Sequence, residues 1–400
     1  MTDFVVPRAV RLALVLSCMF AAWGVAQPFL PRWLEVTQGL SGLEIGIVLS
    51  SAQLARIAIG PPIAAWADGF SDRRTPLRII AVGALIAWAA FFYVRGFWML
   101  AAIAFVAQAL AQALSPLIEG AALRASASDR LPFGAVRAAG SFAYVVSAIA
   151  GGALITAVGL TIATPIWVVA ALGLMTGIIC FWLPHDPAPR VHAGFRKRLR
   201  AGLAFARTPK IAFLLFGCAC IQGAHGFYYG FSALVWRNQG LSAATVGQLW
   251  GFAVSLEILL LIALPRIERV LKPERLILIG AGAGVLRWSL LALAPVGWAL
   301  WPIQALHGLT FSPAHVGALR VITRECPEEV ALFVQSLYAA LQAGLFAGLA
   351  FIASGWLYDH VGAQGYWLMS ALSAAGLLLI WRMNILLAQE NARPREASAR

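Results

Sequence analysis

Apolar runs of about 20 residues, separated by short polar segments, recur along the whole chain. A bilayer core about 30 Å thick requires about 20 mostly apolar residues for one helical crossing, so the pattern predicts transmembrane helices. The predicted spans are residues 11–34, 43–66, 76–94, 97–122, 135–157, 162–183, 210–235, 243–264, 275–293, 298–320, 331–355 and 365–387. We therefore expect an all-α membrane protein with twelve transmembrane helices.

The composition excludes most soluble classes of protein. Apolar residues make up 61% of the chain and charged residues 12%, whereas soluble domains average about 45–50% and about 25%. The five cysteines are scattered and no second Cys or His pair completes a metal site. We expect no soluble enzyme, no disulfide framework, no metal and no cofactor.

The net charge of +13 comes from short basic clusters between the apolar runs. With the N-terminus inside, 24 of the 30 Lys and Arg residues lie in cytoplasmic segments or at their helix ends, and three lie inside spans. Only Arg32, Arg95 and Arg237 face outward. This bias follows the positive-inside rule, so it predicts an inner-membrane protein with both termini in the cytoplasm, and it explains the basic charge without nucleic acid.

A short internal repeat accompanies a long basic connection. Gln38-Gly39-Leu40-Ser41 recurs as Gln239-Gly240-Leu241-Ser242, both times before the second helix of a six-span group. We expect an N-terminal half at residues 1–183, a cytoplasmic linker at 184–209 and a C-terminal half at 210–400. Repeated halves are common in secondary transporters.

Charged and titratable side chains inside the predicted spans are candidate functional groups, because a mid-bilayer charge costs at least about 2.5 to 3.5 kcal/mol. They are Arg56, Glu119, Arg137, Glu257 and Arg287, with the histidines His225, His307 and His315. The fixed charges sum to +1. A positive interior suits an anionic substrate.

Several of these groups share a helical face with other polar residues, as spacings of three, four or seven allow. Predicted stripes are Arg137, Ser141 and Tyr144; Gln222, His225 and Tyr229; and Gln304, His307, Phe311 and His315. Such stripes indicate a solute pathway. The alternative, hydrogen bonding between neighbouring helices worth about 0.6 kcal/mol, stays open for a single Gln and for His315.

Particular motifs resemble the major facilitator superfamily, in the branch of the galactoside/proton symporters and phenylpropionate permeases. The proline-rich segment 24–34 is similar to the end of helix 1 in that branch. The stretch from Gly60 to Arg74 is similar to the loop between helices 2 and 3. The resemblance implies that Asp68, with Arg73 and Arg74, gates the cytoplasmic side.

Further motifs carry the resemblance into helices 5 and 10. The segment 133–140 around Arg137 is similar to the start of helix 5 in the symporters, where an arginine pairs with a glutamate eighteen residues earlier, here Glu119. Tyr144 matches the position of a substrate-stacking aromatic residue. The segment 304–311 with His307 resembles the phenylpropionate-permease form of helix 10, with Arg287 twenty residues earlier.

Two positions depart from the symporter pattern. Thr310 stands where the galactoside symporter has the carboxylate of its proton coupling, and Ala343 lies near the position of its helix-11 lysine. Another group must then carry a proton. Glu257 is the first candidate, with His307 and Glu119 next.

These features together predict a proton-coupled secondary transporter that imports a small organic anion, such as an aromatic acid like phenylpropionate, by alternating access. It would act as a monomer, with its substrate, protons and the lipid bilayer as partners. The expected substrate contacts are Arg56, Glu119, Arg137, Tyr144, His225, Tyr229, Arg287, Gln304, His307 and Phe311. Three alternatives stay open: a sugar or nucleoside symporter, a sensor on a transporter scaffold and an intramembrane enzyme.

Overall fold

The computed structural model describes residues 6–67, 69–129, 132–183 and 202–397, and these are almost entirely helical. The first six helices are α1 Arg8–Gln38, α2 Gly42–Ala67, α3 Arg74–Tyr93, α4 Phe97–Asp129, α5 Phe133–Val158 and α6 Leu160–Gly177. The later ones are α7 Pro209–Gly223, α8 Gly226–Asn238, α9 Ala243–Ile267, α10 Pro273–Ala292, α11 Leu300–Ala305, α12 His307–Glu325, α13 Glu328–Ala340, α14 Ala347–Val361 and α15 Tyr366–Ala397. The predicted all-α class is confirmed.

Ten stretches among the described residues are long and apolar enough to cross a membrane. One of them, Phe333–Glu390, has 58 residues. It includes α14 and most of α15, which lie in two of the predicted spans. The predicted span 298–320 is helical as α11 and α12 but is not among the ten, because its glutamine, histidine and hydroxyl side chains reduce its hydropathy.

The internal repeat forms the same local structure in both copies. Gly39 and Gly240 have positive φ values of 68° and 89°, which glycine adopts without steric cost and which end the preceding helix. The hydroxyl of Ser41 accepts a hydrogen bond from the Glu44 N–H, and Ser242 accepts one from the Thr245 N–H. Each copy therefore closes one helix and caps the next.

Two helical stretches are interrupted next to a histidine. The N–H of His225, between α7 and α8, bonds to the Gln222 carbonyl at 3.1 Å, and the N–H of Leu306, directly before His307, bonds to the Ile303 carbonyl at 3.2 Å. Each bond joins residues three apart, whereas α-helical bonds join residues four apart. Such 3₁₀-type turns inside helices often mark functional positions.

Two compact units divide the chain. Among the described residues, the first unit contains residues 6–183 with Tyr229–Ser255 and Phe351–His360. The second contains residues 202–228, Leu256–Ala350 and 361–397. The predicted linker 184–209 lies mostly outside the described residues, and the division into two six-helix halves stays a prediction.

Inside the first unit, helices from the two predicted halves approach at backbone distance. A Cβ added to Gly152 on α5 would lie 2.5 Å from the carbonyl oxygen of Ala243 on α9, and one added to Gly42 on α2 would lie 2.7 Å from that of Gly355 on α14. Glycine is required here because any larger side chain would force the helices apart. These contacts lie at the helix ends predicted to face outward.

Hydrogen bonds reinforce the contact between α2 and α14. The carboxylate of Asp359 accepts bonds from the backbone N–H groups of Gly42 and Leu43, at 2.8 and 2.9 Å. The Tyr358 hydroxyl donates to Glu35 at 2.9 Å. Asp359 therefore caps the first turn of α2, where exposed N–H groups and the helix dipole favour a negative charge.

Ion pairs join helix ends of the second unit at the side predicted to be cytoplasmic. The Lys210 ammonium lies 3.1 Å from Glu325 and 2.8 Å from Glu390, and Arg324 Nε lies 2.8 Å from Glu325. Burial raises the pKa of the Glu325 carboxyl, but hydrogen bonds from Arg324 and Lys210 outweigh it, so the pKa lies below its ordinary value.

Candidate functional site

A buried arginine lies at the centre of the polar residues of the second unit. Arg287 on α10 is 0% exposed. Its guanidinium is 2.9 Å from Nδ1 of His307 and donates to Oε1 of Gln304 at 2.8 Å. The guanidinium carbon also lies 4.4 Å from the ring centre of Tyr228 and 4.6 Å from that of Trp288. Neutral oxygen and nitrogen atoms and aromatic faces thus stabilise the buried charge.

His307 connects this arginine to a carboxylate. Its Nε2 atom lies 3.4 Å from Oε2 of Glu257 on α9, and the other Glu257 oxygen lies 3.4 Å from the hydroxyl of Ser312. The side chain of Glu257 is 18% exposed and that of His307 is 4% exposed. The three side chains form a row in the order Arg287, His307 and Glu257. The Glu257 carboxylate is the most exposed of the three.

Thr310 adds a hydroxyl to the same cluster. Its Oγ1 atom accepts a hydrogen bond from Arg287 at 3.3 Å and lies 3.2 Å from Nε2 of His225. Phe311 follows, with its ring centre 5.9 Å from that of His225. The break between α11 and α12 brings these groups together, because the chain turns directly before His307.

The structure thus brings together six residues predicted from the sequence, and adds others. The predicted members are His225, Glu257, Arg287, Gln304, His307 and Phe311. The prediction missed Tyr228, Trp288 and Thr310 as partners of Arg287. The signal for Tyr228 and Thr310 was their spacing, since each lies three residues after a histidine.

Tyr229 is placed differently from the predicted stripe. It belongs to the first unit, where its ring centre lies 6.1 Å from that of Trp250. The prediction assumed one continuous helix from Gln222 to Tyr229, but the turn between α7 and α8 shifts the helical register. Tyr228 consequently takes the position beside the buried cluster.

A second charged pair lies in the first unit. Arg137 Nε on α5 is 3.6 Å from Glu119 Oε1 on α4, as the resemblance to the symporters implied, and the side chains are 38% and 37% exposed. The Arg137 guanidinium donates to the Ser141 hydroxyl at 3.2 Å and lies 4.4 Å from the ring centre of Phe20. The distance to Glu119 is longer than a hydrogen bond.

The other predicted site residues of the first unit have different surroundings. Tyr144 is buried, and its hydroxyl donates to Gln27 at 3.0 Å. Arg74 pairs with Asp72 at 3.3 Å, and Arg73 lines a small cavity. Asp68 and the side chain of Arg56 lie outside the described residues. The gating role of Asp68, Arg73 and Arg74 stays a prediction.

No metal centre is visible in this arrangement. Among the described residues, no three His, Cys, Asp or Glu side chains are grouped so that they could hold a metal ion. The polar clusters can hydrogen-bond and exchange protons with a solute, but they contain no paired nucleophile and base of the kind that hydrolases use.

Comparison with known sequences identifies the family. Residues 9–369 match the profile of the MFS_1 like family. The chain belongs to this family. Its members are transporters of the major facilitator superfamily, so the resemblance seen in the sequence is confirmed, and the protein is a multi-pass membrane transporter rather than an enzyme.

Two curated relatives span nearly the whole length. The chain is 28% identical to a probable 3-phenylpropionic acid transporter of Escherichia coli, over 92% of this chain and 96% of that protein. It is 26% identical to a maltose permease of Geobacillus stearothermophilus, over 90% of this chain and 91% of that protein. The protein is therefore a secondary transporter of small molecules.

Solved structures share the fold. The crystal structure of the nucleoside transporter NupG superposes with a TM-score of 0.80 at 14% identity, covering 96% of this chain and 99% of that one. The POT family transporter PepTSo superposes with a TM-score of 0.74 at 12% identity, covering 96% and 98%. At these identities the likeness concerns the fold alone.

Proposed function

We propose that this protein is a proton-coupled symporter that imports a small organic anion, and that Arg137 binds the carboxylate of the substrate. The observation that carries the proposal is the contrast between two intramembrane arginines. The Arg137 side chain is 38% exposed, whereas Arg287 is fully buried. In this conformation Arg137 is the more exposed of the two, as binding of a solute requires.

The surroundings of Arg137 suit a carboxylate. A guanidinium presents a planar fork of N–H donors that matches two carboxylate oxygens. Phe20 and Ser141 orient the group from one side. Because Glu119 stands 3.6 Å away, beyond hydrogen-bond distance, an incoming carboxylate can compete with it for the same N–H donors.

An aromatic acid is the substrate class we favour. The Phe20 ring beside Arg137 forms an aromatic pair with Trp23, with ring centres 5.1 Å apart, and offers a stacking surface next to the charge. The name of the E. coli relative supports the same class. Glu257 is our proton carrier, because it is the accessible carboxyl of the Arg287 cluster.

The proposal includes the setting of the transport cycle. The protein lies in the inner membrane with both termini cytoplasmic, as the 24 to 3 distribution of basic residues indicates. It works as a monomer with alternating access between two six-helix halves. Asp68, Arg73 and Arg74 gate the cytoplasmic side.

A sugar or nucleoside symporter is the second candidate. The maltose permease of G. stearothermophilus favours it, and the half-exposed Glu119 carboxylate, with the hydroxyl of Ser115 3.4 Å away, could accept hydrogen bonds from sugar hydroxyls. Under this alternative, Arg137 orients Glu119 rather than an anion.

Uptake in proteoliposomes distinguishes the two. With an inward proton gradient, we expect labelled 3-phenylpropionate to accumulate, and excess maltose or uridine not to compete. Hydrogen bonds to charged groups contribute about 1.5–3 kcal/mol, so Arg137→Gln should weaken binding about 10- to 150-fold. The matched control is Arg95→Gln on an exposed residue at a predicted outward turn. Accumulation of maltose or uridine without transport of the acid would refute the proposal.

A further inference from the structure

The hydrogen-bond partners of His307 determine which of its ring nitrogens carries a proton. A guanidinium has N–H donors and no acceptor. Since an Arg287 N–H lies 2.9 Å from Nδ1 of His307, Nδ1 must supply the lone pair. The proton of the neutral ring is then on Nε2, which faces the Glu257 carboxylate at 3.4 Å. Donor and acceptor match at both contacts.

The Arg287 guanidinium is held in place, so it cannot readily move aside if His307 takes up a second proton. Gln304 accepts a hydrogen bond from its other terminal nitrogen at 2.8 Å. The rings of Tyr228 and Trp288 lie against the guanidinium at 4.4 and 4.6 Å. An imidazolium would direct an Nδ1–H at this fixed cation, with two donors facing each other.

The groups around His307 come from four elements. Arg287 on α10 and Glu257 on α9 hydrogen-bond to it, the Tyr228 ring on α8 lies 5.5 Å away, and the ring of His225, between α7 and α8, lies 6.0 Å away. Arg287 and the ionised form of Glu257 are the charged groups in this set. Both place the proton of the neutral ring on Nε2, and Arg287 opposes a second proton on Nδ1.

We propose that Arg287 is a positioning residue that holds His307 neutral, with its proton on Nε2. His307 is then a permanent hydrogen-bond donor toward Glu257, and it does not carry the transported proton. When Glu257 takes up a proton, its carbonyl oxygen can still accept from the Nε2–H group, so the contact between His307 and Glu257 is kept in both protonation states of the carboxyl. The role in transport rests on the proposed proton coupling, but the tautomer does not.

Nitrogen NMR of the reconstituted protein tests the tautomer without any transport measurement. With ¹⁵N-labelled histidine, the His307 signals are assigned by their loss in His307→Gln. We expect a protonated Nε2 and an unprotonated Nδ1, unchanged between about pH 5 and 8. A wild-type His307 with its proton on Nδ1, or with both nitrogens protonated in this range, would overturn the proposal.

Two variants separate positioning from a merely structural role. Arg287→Gln should allow His307 to become an imidazolium as the pH falls, so both nitrogen signals move. Arg287→Lys retains a cationic donor and should keep the wild-type spectrum. If Arg287→Gln leaves His307 neutral at every pH, Arg287 is not what holds it. Should Arg287→Gln fail to fold, the wild-type spectrum still decides the tautomer. If the wild-type protein gives the expected nitrogen spectrum but shows no pH-driven uptake, only the proposed proton coupling is contradicted.

Discussion

Replacing Glu257 with glutamine should separate substrate exchange from substrate accumulation. The glutamine retains a side-chain oxygen that can accept the hydrogen bond from Nε2 of His307, 3.4 Å away in the wild type, so the cluster should stay assembled. What the substitution removes is the ability to gain and lose a proton. Exchange of labelled for unlabelled substrate needs no net proton movement, whereas accumulation does.

The expected size of the effect follows from the number of carboxyl groups. Glu257 is the one carboxylate among the described residues that contact Arg287 or His307, so the proposed coupling predicts one proton for each substrate. One proton moving down a gradient of one pH unit supplies about 1.4 kcal/mol, which corresponds to about tenfold accumulation. Glu257→Gln should reduce this ratio to about one while exchange stays within about twofold of wild type.

The assay is uptake and counterflow in proteoliposomes prepared at equal protein density. Glu268→Gln is the matched control, since Glu268 lies directly after α9, the helix that carries Glu257. Glu268 pairs with a largely exposed Arg320, and such surface pairs contribute about 0–1 kcal/mol to the stability of the fold. The control should accumulate substrate normally. Tenfold accumulation by Glu257→Gln at the same gradient would show that the proton is carried elsewhere or that no carboxyl of this cluster takes part.

Three further substitutions test other parts of the structure. The pKa of Glu325 lies below its ordinary value of 4.5. Its ion pairs therefore stabilise the fold above pH 4.5, and this stabilisation is lost as the pH falls through the lowered pKa. In thermal unfolding, Glu325→Gln should lose less stability than wild type when the pH is lowered below about 4.5. Asp359→Ala removes both acceptors at the start of α2 and should lower the free energy of unfolding by about 0.5–2 kcal/mol, whereas Asp359→Asn should lower it less; equal melting of all three proteins would contradict the capping role. Gly152→Val places a Cβ against the Ala243 carbonyl, so uptake should be lost while ligand-induced thermal stabilisation remains, and normal uptake would show that the two helices separate without cost.

The helices could be predicted from the sequence because the bilayer imposes a single requirement, a run of about 20 apolar residues. That rule depends on composition and hardly on tertiary contacts. It describes the stretch 298–320 least well, since Gln304, His307 and Thr310 replace apolar residues there. Their polar groups are stabilised by Arg287, a partner on another helix that hydropathy does not include.

The candidate site could be predicted in its charged members and not in its geometry. The cost of charge in a membrane singles out Arg287 and Glu257 without any structure. Whether an arginine is exposed or enclosed depends on neighbours such as the Tyr228 ring, which another helix contributes. Tyr228 was missed for a related reason, because a two-residue turn between α7 and α8 changes which tyrosine faces the cluster.

The glycine contacts in the first unit have a consequence for energy conservation. Where Gly152 meets Ala243 and Gly42 meets Gly355, helix backbones approach so closely that a methyl group would not fit, and a file of water molecules needs more room than a methyl group. Protons cross membranes rapidly along such files. Water therefore cannot form a file between α5 and α9 or between α2 and α14 at these two contacts, so a transporter driven by a proton gradient, as we propose, would lose no protons along either pair of helices.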